Sequence, residues 1–223
     1  MKNFIKKLNA LLIVAVLTTS LYSCGGKSSE SDSNEGNLVG DDIDGNVNLE
    51  QDNMPYGATM TSLNPNNDDV AFKVEYDHRF LTADEAKAVA DYFEGVSTKN
   101  AEKLESVFVP YILEQRLELN QLNSTQDYAD GLYNAVKRYT ELDFDISFIN
   151  INAALDASEH DFSSFDSYIF SDNPDAKITS RHFVSAEIYY NTEDAKSCSL
   201  YKKMDRYIQF GVYVVDGKTY IIE

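Results

Sequence analysis

The spacing of apolar side chains changes character along the chain. An apolar run from Leu8 to Leu17 follows a basic start at Lys2, Lys6 and Lys7. About 20 apolar residues are needed to span a bilayer, so the run is too short for a stable membrane helix. It has the anatomy of a secretory signal, residues 1–23. Residues 24–69 then carry few large apolar side chains, and between 25 and 69 there are ten acids and one base, Lys27. Such a segment cannot bury enough apolar surface to offset its ordering entropy, and it reads as an acidic low-complexity tether. Its end, residues 54–60, is less polar and suits an extended arm lying on the domain that follows.

From Val70 to Glu223 the periods are those of one folded domain. Phe72, Val74 and Tyr76 alternate with Lys73, Glu75 and Asp77, the pattern of a half-buried strand. Thr82-Ala83-Asp84-Glu85 has the spacing of a capping box, and the helix behind it places Ala86, Val89, Ala90, Phe93 and Val96 on one face. A second helix is predicted near 101–108, burying Leu104, Val107 and Phe108. Pro110 suits the first turn of a third, to about Leu122. A fourth begins near Thr125 and offers Tyr128, Leu132, Ala135, Val136 and Tyr139.

Strands dominate the remainder. Phe144, Ile146 and Phe148 share one parity, Ile149 and Ile151 the other, which requires a bulge near Phe148 or burial on both faces. Residues 156–176 form an acidic, Ser-rich connection with a short helix holding Phe162, Phe165, Tyr168 and Ile169. A long strand follows, with His182, Val184, Ala186, Ile188 and Tyr190 on its apolar face. Another is predicted from about Leu200 to Val215. Asp216-Gly217 is a hairpin signal, and Tyr220-Ile221-Ile222 ends the sheet. The expected class is α+β, with N-terminal helices packed on a curved antiparallel sheet.

Charge narrows the partners. Lys and Arg number 19 against 37 Asp and Glu, a formal charge of −18, and loss of the signal lysines makes the mature chain more acidic still. Nucleic acid and anionic headgroups carry the same sign, so no nucleic-acid partner is expected. There are two cysteines. Cys198, if Cys24 is modified, has no internal partner, and without an adjacent histidine it reads as structural.

Leu21-Tyr22-Ser23-Cys24 is similar to the lipobox of bacterial lipoprotein signals, with Leu21 and Ser23 at the aliphatic and small positions and Tyr22 a departure. The resemblance implies a diacylglycerol on Cys24, an extracytoplasmic location, and attachment to a bacterial membrane through that lipid. Two acyl chains hold where one does not. Asp42-Ile43-Asp44-Gly45-Asn46 is similar to part of a calcium loop, making Asp42 and Asp44 candidate ligands. Val47 nevertheless falls where the turn glycine belongs and Asn53 where the bidentate glutamate belongs. A solvated acidic linker accounts for these residues better, and no metal or cofactor is expected.

Ala90-Asp91-Tyr92-Phe93, Lys99-Asn100-Ala101-Glu102-Lys103-Leu104 and Val214-Val215-Asp216-Gly217-Lys218-Thr219-Tyr220 resemble, in order and placement, the NTF2-like family of cone-shaped domains over roughly 80–223. Two departures are Tyr220, where a tryptophan is common, and the long 156–176 connection. Catalytic relatives use a carboxylate or histidine inside the cone as a base, and the candidate here is His182, which parity puts on the apolar face, with Tyr190 or Tyr76 as hydrogen-bond partner. His78, between Asp77 and Arg79, is explained by a local ion pair, and His160 by solvation in its acidic loop. With no zinc-ligand spacing, phosphate loop or nucleophile elbow, the expectation is a non-catalytic binding module for a small ligand, envelope component or partner protein. The alternative is an isomerase-like or hydratase-like enzyme using His182.

Overall fold

The computed structural model describes residues 54–223; the signal, Cys24, Asp42, Asp44 and most of the expected tether lie outside them. In chain order the elements are β1 (Met60–Leu63), β2 (Lys73–Asp77), α1 (Ala83–Thr98), α2 (Ala101–Val107), α3 (Pro110–Leu119), α4 (Thr125–Thr140), β3 (Asp145–Leu155), α5 (Ser163–Asp172), β4 (Ile178–Asn191), β5 (Cys198–Ser199), α6 (Leu200–Met204), β6 (Ile208–Val215) and β7 (Lys218–Ile222). The class is α+β, with a single seven-stranded sheet in the order β1-β2-β3-β4-β6-β7 and β5 added to β4.

The sheet is mixed, which corrects the antiparallel expectation. β2 and β3 pair in parallel, Lys73 with Phe148 and Glu75 with Asn150. Four helices separate these strands in sequence. A connection of that length carries the chain back over one face to restart in the same direction, whereas a tight turn reverses it. The parity change along β3 resolves into two register shifts, between Ile146 and Phe148 and between Ile151 and Ala153, both against β4.

Residues near the capping box obey the sequence closely. Thr82 caps α1 by accepting from the Glu85 amide, Glu85 reaches back to the Thr82 amide, and Ala86, Val89, Ala90, Phe93 and Val96 are buried. Their stripe packs with Phe108, Leu132, Ile149, Val184, Ile188, Phe210 and Ile221 into one apolar core between helices and sheet. Full burial of such a side chain is worth about 1.5–3 kcal/mol. At the other end Asp216 and Gly217 both have positive φ, 52° and 81°, as a two-residue type I′ hairpin requires.

Two further expectations give way. The predicted strand from Leu200 is first a one-turn helix, α6, because the Ser199 hydroxyl caps it by accepting from the Lys202 amide; strand begins only at Ile208. The folded part also starts before Val70. β1 pairs antiparallel with β2, Leu63 opposite Val74, and Tyr56 packs on Phe80. Asp77, fully buried, fastens this arm: its carboxylate accepts from the Gly57 amide at 2.9 Å, the Thr59 hydroxyl at 2.6 Å and the Arg79 guanidinium at 2.7 Å. Arg79 in turn donates to the Met54 and Pro55 carbonyls. Hydrogen bonds from Arg79 hold the Asp77 carboxyl well below the usual carboxylate range, against its burial.

The connection 156–176 folds across the opposite face of the sheet. Phe162 and Ile169 are buried there with Tyr213, Val215 and Ile222, joined by Ile112 of α3, in a second apolar cluster. Tyr168 is 40% exposed and contributes nothing to that burial. Asp166 fixes α5 to the sheet by accepting from Arg181 of β4 and, at 3.1 Å, from the Tyr213 hydroxyl.

Candidate functional site

Where β4 leaves the protection of the helices, its side chains surround open space. His182 keeps the parity of Val184, Ala186, Ile188 and Tyr190, all buried, but is only half-buried itself. Its Nδ1 lies 3.2 Å from Glu85 Oε1, and neither Tyr190 nor Tyr76 supplies its hydrogen bond, which corrects the expected partners. Tyr190 instead meets Phe144 edge-on in the core, because β4 carries it about eight residues away from the strand end where His182 sits.

Glu85 is the residue that the sequence reading treated only as a cap. It is 1% exposed. Its Oε2 accepts from the Thr82 amide at 2.8 Å and the Thr82 hydroxyl at 2.9 Å, while Oε1 accepts from the Ser180 hydroxyl at 2.7 Å and from His182. Burial pushes this carboxyl up, and the hydrogen bonds from His182, Thr82 and Ser180 outweigh it, lowering its pKa to about 2. A carboxylate only accepts, so the proton of a neutral His182 sits on Nδ1 and leaves Nε2 as the acceptor. Ninety-seven residues separate the pair, and no local pattern signals it.

His182 lines an open cleft of about 430 Å³ with Asp156, Ser158, Ile178, Thr179, Ser180 and Arg181. A neighbouring space of about 500 Å³ shares Ala157, Ser158 and Arg181 and continues along His160, Asp161, Phe162, Ser163 and Asp166. Asp156 is held below its ordinary pKa by the Ser158 hydroxyl and amide, and the charge of His182 acts in the same direction. Arg181 lies over the Phe162 ring, 5.5 Å from its centroid, while paired with Asp166. His160 is not a solvated loop residue: its ring stacks on Phe183 at 3.9 Å and 5°, and burial lowers its pKa against the charge of Asp161. Aromatic side chains on α5 and β4 converge there only once the connection folds over the sheet.

Among the described residues the interior beneath the helices is largely filled. Tyr92, Phe93, Phe108 and Phe210 meet in mostly edge-to-face contacts. The cavities among Phe93, Val96 and their neighbours are about 30 and 10 Å³. Spaces of that size admit a water or two and no organic ligand. Deep in the same layer Tyr92 and Tyr128 both donate to the Glu223 carboxylate, and Arg116 donates to the Glu223 carbonyl.

Of the remaining candidates, Cys198 is a free, half-buried thiol on β5, opposite Tyr190. His78 is exposed, with Nδ1 2.9 Å from the Thr59 carbonyl, while the ion pair beside it joins Asp77 to Arg79. Among the described residues no three His, Cys, Asp or Glu side chains are placed to hold a metal ion, and no helix is long and apolar enough to cross a membrane. Comparison with family models, curated proteins and solved structures finds no match for the chain.

Proposed function

We propose that the protein is a lipid-anchored extracytoplasmic binding module, built on an NTF2-like cone, that holds a small polar ligand in the cleft beside His182. The observation carrying this reading is the distribution of space: the interior is largely filled, whereas the open volume lies along Ser158, Arg181 and His182. Charged and hydroxyl groups converging on a concave surface give orientation and specificity to a ligand. The anchor rests on Leu21-Tyr22-Ser23-Cys24, and an acidic tether would hold the domain off a membrane surface of like charge.

Two measurements test the reading. Cells grown with a labelled fatty acid are expected to label the wild-type chain and leave Cys24→Ser unlabelled; label retained by the variant refutes the anchor. Ligand co-purifying with wild-type protein from envelope extract, identified by mass spectrometry, is expected to be lost from Arg181→Ala. Equal recovery from both refutes the cleft as the site.

The Glu85 contact favours a second reading, in which His182 is a general base. A buried carboxylate accepting from Nδ1 orients the ring and leaves Nε2 to take a proton, the arrangement that proton abstraction from a bound substrate requires. Turnover of the co-purified ligand by wild-type protein, abolished in His182→Gln, would favour this over simple binding.

A further inference from the structure

The outward face of the sheet is covered by α5 over only part of its width. Beyond that cover, four aromatic rings stand outside both apolar clusters. Phe148 and Tyr189, paired across β3 and β4, have centroids 5.3 Å apart and planes tilted by 31°. Tyr207 lies just before β6, on the parity of Gln209, which alternates with inward Ile208 and Phe210. It stacks on Tyr201 at 4.5 Å and is 41% exposed. Tyr189 pairs with Ser199 of β5, two residues before Tyr201, which brings the two ring pairs to the same end of β4.

Amides and carboxylates surround these rings. Asn150 lies opposite Glu187 on the same outward face, and Glu75 pairs with Asn150 from β2. Of the two carboxylates, Glu75 is neutralised by Lys73, whereas Glu187 keeps its charge. Lys73 pairs with Glu75 while lying 5.6 Å from the Phe148 centroid, and Glu187 accepts from the Ser199 hydroxyl at 2.6 Å. Tyr207 is exposed while Phe148, Tyr189 and Tyr201 are half-buried, and their environment is too polar for the apolar centre of an obligate protein interface.

From this arrangement we propose that the outward sheet face binds a neutral carbohydrate chain. Aromatic faces stack against the apolar C–H faces of sugar rings, and side-chain amides and carboxylates between them accept from and donate to hydroxyls. Strands about 4.8 Å apart set successive rings across the sheet, so a polymer crossing the strands meets one aromatic group after another. Charge selects the same partner class. With Glu75 paired and Glu187 still charged, on an acidic chain, the face disfavours polyanions yet offers a polycation no row of unpaired acids. The inference is independent of the cleft.

Native affinity electrophoresis of the detergent-solubilised full-length chain provides the test, in gels containing hydroxyethyl cellulose, mannan, soluble starch or, as anionic control, polygalacturonate. Retardation is expected in at least one neutral gel and absent from the anionic one. Tyr189→Ala should weaken it about tenfold, the value of one stacked ring, and Tyr207→Ala should weaken it measurably without altering the circular-dichroism melt. His182→Ala is expected to leave retardation unchanged, separating this face from the cleft. The proposal is overturned by no retardation in any neutral gel, by retardation indifferent to both tyrosine substitutions, or by equal retardation in polygalacturonate. A concentration-dependent dimer abolished by Tyr207→Ala, without polysaccharide binding, would assign the face to self-association and overturn it equally.

Discussion

Replacing Glu85 with glutamine tests the physical account of the site most directly. The carboxylate is 1% exposed, has hydrogen-bond donors on both oxygens, and has its pKa lowered to about 2. An unfolded glutamate titrates near 4.3, so the difference of about two units corresponds to about 3 kcal/mol of stability at neutral pH. Breaking one side of a buried ionic pair gives a similar figure, about 3–5 kcal/mol. Because the folded pKa is the depressed one, this contribution is fully present above about pH 4.3 and is lost as pH falls towards 2. Glu85→Gln carries no such titration. Its deficit is therefore expected to be about 3 kcal/mol at pH 7 and about half that at pH 3. The chain contains no tryptophan, so urea unfolding is best followed by circular dichroism at the two pH values. A deficit below about 1 kcal/mol at pH 7, the worth of an ordinary neutral hydrogen bond, would refute the reasoning. So would a deficit that does not shrink in acid.

Two other outcomes follow from buried polar groups. Asp77→Asn cannot accept from Gly57, Thr59 and Arg79 together, so a loss of about 3 kcal/mol is expected. Limited proteolysis should then cut between residues 54 and 69 at rates well above wild type, and an unchanged digestion pattern would contradict the clamp. At alkaline pH, burial raises Tyr56 and Tyr133 to about 12, the latter helped by Asp143. Unfolded tyrosine ionises near 10, so the unfolded chain releases these protons first and stability should fall as pH rises from about 10 towards 12. Absorbance at 295 nm during the titration reads this: tyrosinate that forms wholly near pH 10 in the folded protein would count against it.

Much of the secondary structure was legible because it is decided locally. The Thr82-Glu85 box, Pro110 at the start of α3 and Asp216-Gly217 at the last turn act within a few residues of themselves. Apolar parity likewise placed His182 on the inward side of β4. What parity could not supply was its partner: Glu85 satisfies a capping rule entirely within its own helix, and its second role depends on β4 arriving beside α1. The same limit explains β1, whose four residues become a strand only with β2 to pair against and Asp77 to hold the arm. α6 is instead set locally, by the Ser199 cap on the Lys202 amide, against the strand expected there.

By itself the sequence determined an acidic chain with a lipobox-like start, the order of most helices and strands, and which of their faces turn inward, since each depends on composition or on spacing along one element. The tertiary structure decided the parallel pairing of β2 with β3, the largely filled interior, the Glu85–His182 contact and the cleft beneath the 156–176 connection. It also decided which outward rings α5 leaves uncovered. Those features depend on distances between residues far apart in the chain, which arise only when the helical layer and the insertion close on opposite faces of one sheet.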